Sequence, residues 1–488
     1  MKKHIILFLL LFLSFGSMSS FSKENIKFRF NKAGQFKIAQ FTDIHWNNTS
    51  PNCAKTIETI KAVLEAEKPD LAVLTGDVVS DPPIREGWLA VAKIFEETKT
   101  PWTVVLGNHD SEEGRGFTRC QIFDIIEGMP YYVGEKGLPM TGCGNYEIPV
   151  IASKGDKTAA VLYHIDSNDY PENDKLGHYD WIHFDQISWY RHLSDTYTSK
   201  NNNKQIPSLA FFHIPLIEYN NIVGKPTTVG TKDEGVAAAD INSGMFASLI
   251  EQQDVMGVFV GHDHDNDYIG IEKNIALAFG RTSGADAYGK LERGGRIIVM
   301  YEDQFKFDTW IRTPKGTELY YYYPSGISSV DEQSMSFLPA KDVKPTKQGV
   351  GYTYYEGKFK SVDDIVSQKP LKEGVLTNFS IESAPVQDYF AFGFKSYIKI
   401  PERGVYRFYT NSDDGSKLYI DGQLVVDNDG SHSLKRVDGK VALEAGFHEI
   451  EVRYLENYMG QALEVGISSR NILEKPIPDS MLFLLSDK

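Results

Sequence analysis

Two histidines stand one residue apart, among aspartates, directly after an apolar run in the segment FVGHDHDND (259–267). Side chains two residues apart on an extended segment point the same way, so His262 and His264 can reach one region. The same spacing recurs where Asp43 and His45 follow the apolar run KIAQF. Imidazole and carboxylate groups together are typical ligands of divalent metals. The two pairs therefore indicate a metal site.

Polar residues end three further apolar runs in the same half of the chain. They are Asp77 after LAVLTG, Asn108, His109 and Asp110 after TVVLG, and His213 after LAFF. Because ligands of open α/β sheets gather at the carboxyl ends of strands, five such ends would converge on one site. Glycines at positions 76, 107 and 261 would let the backbone approach bound ions closely. This donor set suits two divalent or mixed-valence metals without a thiolate.

The elements that would position these residues alternate between short β-rich runs and longer amphipathic stretches from Phe36 to about Arg312. The alternation predicts an α/β domain over 30–312, whose sheet ends antiparallel after Gly270. Residues 313–351 carry Pro, Gly, Ser and Lys without a clear period, which predicts a linker. The tyrosine run 320–323 inside it is expected to pack against a flanking domain. Short alternating runs over 352–480 predict an all-β sandwich.

Length, charge and the first residues limit the classes of protein. With 488 residues the chain can form two or three domains. Two lysines, an apolar stretch and small residues over 1–20 match a secretory signal peptide, so a periplasmic or secreted protein is expected. The apolar stretch is short for a transmembrane helix, although an uncleaved anchor stays an alternative. A net charge of −15 argues against binding to nucleic-acid backbones.

Three cysteines in an exported chain allow one disulfide. They are Cys53, Cys120 and Cys143, and the sequence leaves their pairing open.

The blocks Asp-x-His, Gly-Asp, Gly-Asn-His-Asp, His and Gly-His-x-His, in this order, resemble the calcineurin-like metallophosphoesterase superfamily. The resemblance is to non-purple relatives of purple acid phosphatases, and it implies two mixed β-sheets sandwiched by helices. It also implies two metal ions that share the carboxylate of Asp77 as a bridge. One ion would be held by Asp43, His45, Asp77 and His264, and the other by Asp77, Asn108, His213 and His262.

The same resemblance implies a phosphohydrolase in which a hydroxide between the metals attacks the phosphorus of a phosphate ester. His109 would protonate the leaving oxygen or stabilise charge, and Asp110 would orient His109. Purple relatives carry a tyrosine three residues after the bridging aspartate, where this chain has Ser80. We therefore expect no purple colour, and Fe, Mn and Zn stay open as the metals. Whether the substrate is a monoester, a diester or an anhydride also stays open.

An inactive relative that only binds a ligand is one alternative to the hydrolase. Arg119, in the helical segment after the Gly-Asn-His-Asp block, is expected to be an exposed helix residue, with a phosphate contact as its alternative role.

The segment GVYRFYTNSDDGSKLYIDGQ and the strands after it resemble the protective-antigen-type (PA14-like) β-sandwich of adhesins, glycosidases and toxins. In sugar-binding members of that family the adjacent aspartates, here Asp413 and Asp414, hold a Ca²⁺ ion that coordinates glycan hydroxyls. A plain turn before a strand is the alternative for these two residues. The resemblance thus raises a third possibility, a glycan-binding surface protein in which the sandwich is the main functional part.

Overall fold

The computed structural model describes residues 26–112, 116–345 and 347–485, so the predicted signal peptide over 1–20 lies outside the described residues. Strands and helices alternate in the first half of the chain, as the sequence predicts. They are β1 (Gln35–Phe41), α1 (Cys53–Glu67), β2 (Leu71–Thr75), α2 (Ile84–Thr98), β3 (Trp102–Val105), α3 (Arg119–Ile126), β4 (Tyr146–Ile151), β5 (Thr158–His164), α4 (Phe184–Lys200), β6 (Ser208–Phe211), α5 (Met245–Gln252), β7 (Val255–Val260), β8 (Ile269–Glu272), β9 (Ile275–Phe279), β10 (Gly295–Tyr301), β11 (Phe307–Thr313), β12 (Gly316–Tyr323) and β13 (Ile327–Ser328).

These strands form two mixed sheets, which confirms the predicted fold class. One sheet has the order β13-β12-β11-β10-β1-β2-β3 and the other β4-β5-β6-β7-β9-β8. Strands β1, β2 and β3 are parallel, as are β5, β6, β7 and β9. After Gly270, β9 also pairs antiparallel with β8, and β10, β11 and β12 add antiparallel strands to the first sheet. The rings of Phe259 and Phe307 lie 5.7 Å apart and join the facing sheets.

Helices cover the outer faces of both sheets. Ile60 of α1 and Trp88 of α2 are buried in the same core as β1 and β2, while Tyr190 of α4 and Leu249 of α5 are buried against β5 and β7. Every residue of β2 and β7 is buried, because parallel strands covered on both faces are apolar throughout. No helix among the described residues has the length and apolarity that crossing a bilayer requires.

The prediction of a linker over 313–351 is wrong for most of that segment. β12 pairs with β11 as part of the first sheet, and α6 (Ser329–Ser334) follows β13 with Ser328 as its N-cap. The expected packing of the tyrosine run is confirmed: the Tyr321 hydroxyl donates to the Thr227 carbonyl oxygen at 2.8 Å, and the ring of Tyr323 stacks on another aromatic residue of the sheet. Burial of these aromatic rings outweighs the turn-rich composition around them.

An all-β sandwich follows, which confirms the prediction for the second half. Its strands are β14 (Lys347–Gln348), β15 (Val350–Glu356), β16 (Lys372–Leu376), β17 (Phe390–Ile400), β18 (Gly404–Asp413), β19 (Ser416–Ile420), β20 (Gln423–Asn428), β21 (Lys435–Leu443), β22 (Gly446–Glu456), β23 (Ala462–Ser469), β24 (Lys475–Pro476) and β25 (Leu482–Leu484). One sheet centres on the long pair β17–β22, and the other has the order β21-β18-β23-β24.

The sandwich packs on the edge of the first domain through α6 and the strands beside it. The ammonium of Lys440 in β21 pairs with the Asp331 carboxylate of α6 at 2.7 Å, and both side chains are largely buried. The Arg407 guanidinium of β18 donates to the Pro324 carbonyl oxygen at 3.2 Å. Tyr322 and Val405 share a small apolar cluster between the two parts. The two halves of the chain are therefore in direct contact.

The cysteine pairing that the sequence leaves open is resolved by the structure. A disulfide joins Cys120, at the start of α3, to Cys143, in the loop before β4, and Cys53 is a free thiol.

Replacing Cys120 and Cys143 together with serine should lower the free energy of unfolding by about 3 kcal/mol, because the disulfide closes a loop across a sequence separation of 23 residues. The measurement is urea unfolding of protein produced under oxidising conditions. Cys53→Ser is the matched control and should change little. Equal stability of the double variant and the wild type would contradict the assignment.

Candidate functional site

The polar residues that the sequence singles out converge at the carboxyl ends of parallel strands from both sheets. The residues directly after β1, β2, β3, β6 and β7 supply them, in the order Asp43 and His45, Asp77, Asn108 and His109, His213, and His262 and His264. Most are buried, and Asp43 and His213 are fully so. The two sheets thus place side chains from distant parts of the sequence around one point.

The first group of possible metal ligands consists of Asp43, His45 and His264, whose donor atoms all lie within 4.8 Å of one another. His264 Nε2 lies 3.3 Å from Asp43 Oδ1 and 3.2 Å from His45 Nε2. Three donor atoms this close to one another could coordinate a single cation.

The second group consists of Asp77, His213 and His262. Asp77 Oδ2 lies 3.2 Å from His213 Nε2, which in turn lies 3.2 Å from His262 Nδ1. The same Asp77 Oδ2 lies 3.6 Å from His45 Nε2 in the first group. One carboxylate oxygen therefore stands between the two groups.

Asn108, directly before His109 in the loop after β3, offers a neutral side-chain oxygen. Its amide Nδ2 donates to the Tyr170 hydroxyl at 2.9 Å. Its Oδ1 is buried and has no hydrogen-bond partner among the described residues, and the same is true of His262 Nε2 and His264 Nδ1. Because a buried polar atom without a partner is costly, the unmatched amide oxygen of Asn108 fits a residue that contacts a bound cation.

Hydrogen bonds from outside the two groups orient their histidines. His213 Nδ1 donates to the Thr75 carbonyl oxygen at 2.7 Å, so its Nε2 is the nitrogen that faces Asp77. His45 Nδ1 lies 2.7 Å from Ser80 Oγ, which leaves Nε2 toward His264. Such partners fix the tautomer and ring orientation of metal-binding histidines. Ser80, which replaces the tyrosine of purple relatives, therefore has a positioning contact here.

The charges in this cluster are strongly coupled. Burial would raise the pKa of Asp43, but His264 lowers it to about 2. Burial would lower the pKa of His213, but the carboxylates of Asp77 and Asp43 raise it to about 9. Burial and the neighbouring His213 lower the pKa of His262 to about 3. The negative charge of the carboxylates thus favours a balancing cation at this point, either a proton on His213 or a metal ion.

The backbone at the site adopts conformations that L-residues rarely populate. Asp43, His45, Asp77 and His262 have φ values of 51°, 45°, 51° and 80°. Each left-handed residue costs about 1 to 3 kcal/mol and persists where the surrounding fold imposes it. Glycine at position 107 also makes room for the side chain of Asp77, because a Cβ there would lie 2.2 Å from Asp77 Oδ1.

His109 lies at the edge of the cluster, and its ring centroid is 5.5 Å from that of His45. Its main-chain N–H donates to Asp77 Oδ1 at 2.8 Å, and its ring Nδ1 lies 3.2 Å from Glu112 Oε2. The prediction that Asp110 orients His109 is wrong. Both oxygens of the buried Asp110 carboxylate accept main-chain N–H groups, from Val78, Val79 and Gly107. Asp110 therefore stabilises the backbone of the loop after β3. The partner of the His109 ring is Glu112, which the sequence did not predict.

Arg119 has neither of the roles considered from the sequence. Its guanidinium is largely buried and donates to Asp166 Oδ2 at 2.8 Å and to the carbonyl oxygens of Gly107 and Leu106 at 2.8 and 3.0 Å. Asp166 also accepts the main-chain N–H of Cys143 at 2.7 Å. This network, next to the disulfide, holds the loop that carries Asn108 and His109.

A cavity of about 420 Å³ opens beside the two groups. Besides the possible ligands and His109, it is lined by residues that the sequence did not single out, among them Tyr179, Glu234 and Tyr288. The Tyr288 ring stacks on His264 with centroids 3.9 Å apart, and the Tyr179 ring meets His262 edge-on at 4.6 Å. No local sequence pattern predicted that these three residues would line the site.

A separate carboxylate cluster lies in the sandwich, where Asp413 and Asp414 approach Glu456. Asp414 accepts the main-chain N–H groups of His432 and Asn457 at 2.7 and 2.9 Å. Glu456 is fully buried, and its Oε1 has no hydrogen-bond partner among the described residues. Burial and the charge of the neighbouring Asp414 raise the pKa of Glu456 to about 7. Glu456 is a third carboxylate that the sequence motif did not include.

Comparisons with known proteins agree with this geometry. The family pattern described as calcineurin-like phosphoesterase matches residues 36–266, and that of the PA14 domain matches residues 346–480.

Relatives cover most of the first domain. "Probable inactive purple acid phosphatase 29" of Arabidopsis thaliana is 34% identical over 318 residues, which are 58% of this chain and 81% of that protein. "Probable inactive purple acid phosphatase 14" of the same plant is 30% identical, over 58% of this chain and 79% of that protein. "Phosphatase DCR2" of Saccharomyces cerevisiae is 33% identical, over 57% of this chain and 54% of that protein. The chain therefore belongs to the calcineurin-like metallophosphoesterase family, among relatives named as purple acid phosphatases, and it carries a PA14 domain in addition.

Proposed function

We propose that this protein is a phosphohydrolase that uses two metal ions to cleave a phosphate ester. The observation that carries the proposal is the position of Asp77 Oδ2, within 3.2 Å of His213 in one donor group and 3.6 Å of His45 in the other. A buried carboxylate shared in this way can bridge two ions.

The donor set fits two transition-metal ions such as Fe, Mn or Zn, because it combines imidazole nitrogens with carboxylate and amide oxygens. Asp43, His45, Asp77 and His264 would hold one ion, and Asp77, Asn108, His213 and His262 would hold the other. When bound, the metals would neutralise the phosphoryl oxygens and lower the pKa of the attacking water.

His109 would act on the leaving group. Its ring lines the cavity, and 37% of the side chain is exposed there. If Nδ1–H donates to Glu112, Nε2 is the atom that meets the substrate. As the water oxygen joins phosphorus and the P–O bond to the alcohol breaks, a proton from the protonated His109 would pass to the alcohol oxygen.

The word "inactive" in the names of two relatives belongs to those proteins. In this chain every predicted metal-ligand position is occupied by a residue with a donor atom, and His109 is present beside them. These residues support hydrolysis over a role in ligand binding alone.

A second function is favoured by the carboxylate cluster in the sandwich. We propose that Asp413, Asp414 and Glu456 bind Ca²⁺, since three carboxylates in a small volume repel one another unless a cation lies among them. Glycan hydroxyls would then complete the coordination of the ion. The exposed ring of Tyr458 lies in the next loop as a surface for the sugar.

We also propose that the protein is exported to the periplasm or beyond. The Cys120–Cys143 disulfide supports this proposal, because disulfides persist in oxidising compartments.

Hydrolysis of an aryl phosphate monoester and of the matching diester tests the main proposal. The metal-loaded wild type should release phenol from at least one of them, and His109→Ala should lower kcat by roughly 10²- to 10⁴-fold with metal content unchanged. His192→Ala, which replaces an exposed histidine of α4, is the control. Absence of turnover with Fe, Mn and Zn would favour the ligand-binding alternative, and full activity of His109→Ala would refute its role.

The bridging role of Asp77 predicts a specific metal stoichiometry. Asp77→Ala should lose both ions because both groups depend on it, whereas Asp43→Ala should lose one ion and keep the other. Metal analysis after gel filtration distinguishes these outcomes. Retention of two ions by Asp77→Ala would contradict the bridge.

The Ca²⁺ site is tested by calorimetry on the full chain. The wild type should bind Ca²⁺ with a Kd on the order of 10⁻⁴ to 10⁻³ M, and Asp413→Asn with Asp414→Asn should abolish the binding. Asp427→Asn, an exposed carboxylate of β20, is the control. A glycan array that stays flat in Ca²⁺ would argue against sugar binding even where the ion binds.

A further inference from the structure

The outer part of the active-site cavity differs in chemistry from the part that would hold phosphate. Beyond the metal-ligand groups, its wall includes the rings of Tyr179 and Tyr288 and the carboxylates of Glu234 and Asp263. Lysine and arginine are absent from the described residues that line it. The wall is therefore aromatic and acidic, although the substrates of a phosphohydrolase are anions.

The Glu234 carboxylate is fixed in place but not saturated. Its Oε1 accepts the main-chain N–H of Asp265 at 2.5 Å, and its Oε2 accepts the Tyr288 hydroxyl at 2.9 Å. A carboxylate offers about four lone-pair directions, so both oxygens can take a further contact. Lys232 donates to the main-chain oxygen of Glu234 at 2.9 Å and thus interacts with the backbone of that residue.

Tyr288 offers a ring face beside this carboxylate. One face of the ring stacks on His264 at 3.9 Å, while 56% of the residue is exposed. Aromatic faces next to a carboxylate are the set of groups that binds an organic ammonium ion, because both the ring quadrupole and the negative charge attract a cation. The Tyr179 ring on the same cavity wall adds a second aromatic surface.

We propose that the substrate is a phosphate ester whose alcohol carries an ammonium group, with Glu234 and Tyr288 as its specificity residues. This inference rests on the proposed phosphohydrolase function and names its substrate class. The phosphate would lie at the two donor groups, and the cation would lie against the outer wall.

The same wall argues against substrates with additional phosphates. A second or third phosphate in this cavity would lie close to the Glu234 carboxylate, whose like charge would repel it. A polyphosphate site would need lysine or arginine side chains at that position.

A pair of substrates of equal shape tests the proposal. Phosphocholine and 3,3-dimethylbutyl phosphate differ in the charge of the trimethylated end group, because a carbon atom replaces the nitrogen. The metal-loaded wild type should hydrolyse phosphocholine with a kcat/KM roughly tenfold higher, mainly through KM. Glu234→Gln should bring the ratio of the two kcat/KM values close to one, and Tyr288→Leu should lower it.

Glu172→Gln is the matched control, since it removes an exposed carboxylate from the segment that carries Tyr179 but does not line the cavity. It should leave the ratio unchanged. Calorimetric titration with choline gives a readout independent of turnover, and Glu234→Gln should weaken this binding severalfold.

The outcomes separate the inference from the function on which it rests. Equal hydrolysis of the two substrates by the wild type, or a preference for phosphocholine that survives in Glu234→Gln, would overturn the assigned specificity while the phosphohydrolase function stands. Failure to hydrolyse either substrate or any aryl phosphate would overturn both.

Discussion

The carboxylate of Asp77 is buried between two groups of histidines, and its two oxygens make different contacts. Oδ2 lies within 3.6 Å of His45 and His213, while Oδ1 accepts the main-chain N–H of His109. The other possible metal ligands are arranged around this side chain, and the loop of the proposed acid is tied to it. Because buried like charges need a balancing cation, this carboxylate accounts for both the raised pKa of His213 and the proposed pair of metals.

The fold holds the site together at a cost in conformational free energy. Four of the possible ligands have left-handed backbone conformations, which two facing sheets and their strand-end turns impose. Arg119 donates to main-chain carbonyl oxygens of the loop that carries Asn108 and His109, and it pairs with Asp166. The Cys120–Cys143 disulfide lies next to this ion pair. Contacts of this kind restrict the movement of the loop, and such support from surrounding residues is what preorganised catalytic groups require.

Much of the fold and the possible metal ligands could be predicted from the sequence, because apolar runs ending in Asp, Asn and His residues mark strand ends of an α/β domain. Contacts between loops could not be predicted from the sequence. Asp110 follows His109 in the motif, yet its carboxylate accepts hydrogen bonds from main-chain N–H groups. The carboxylate next to the His109 ring belongs to Glu112. The composition around β12 predicts a linker instead of a strand. The tyrosines of this strand are buried partly by residues distant in sequence, such as Thr227. Glu234 and Tyr288 lie in loops whose conformation no local sequence pattern predicts.

Anomalous X-ray diffraction from crystals of the manganese-loaded protein tests the shared carboxylate most directly. Two anomalous peaks should lie about 3.5 to 4 Å apart, with the Asp77 carboxylate between them. A single peak, or two peaks of which only one lies next to Asp77, would contradict the account.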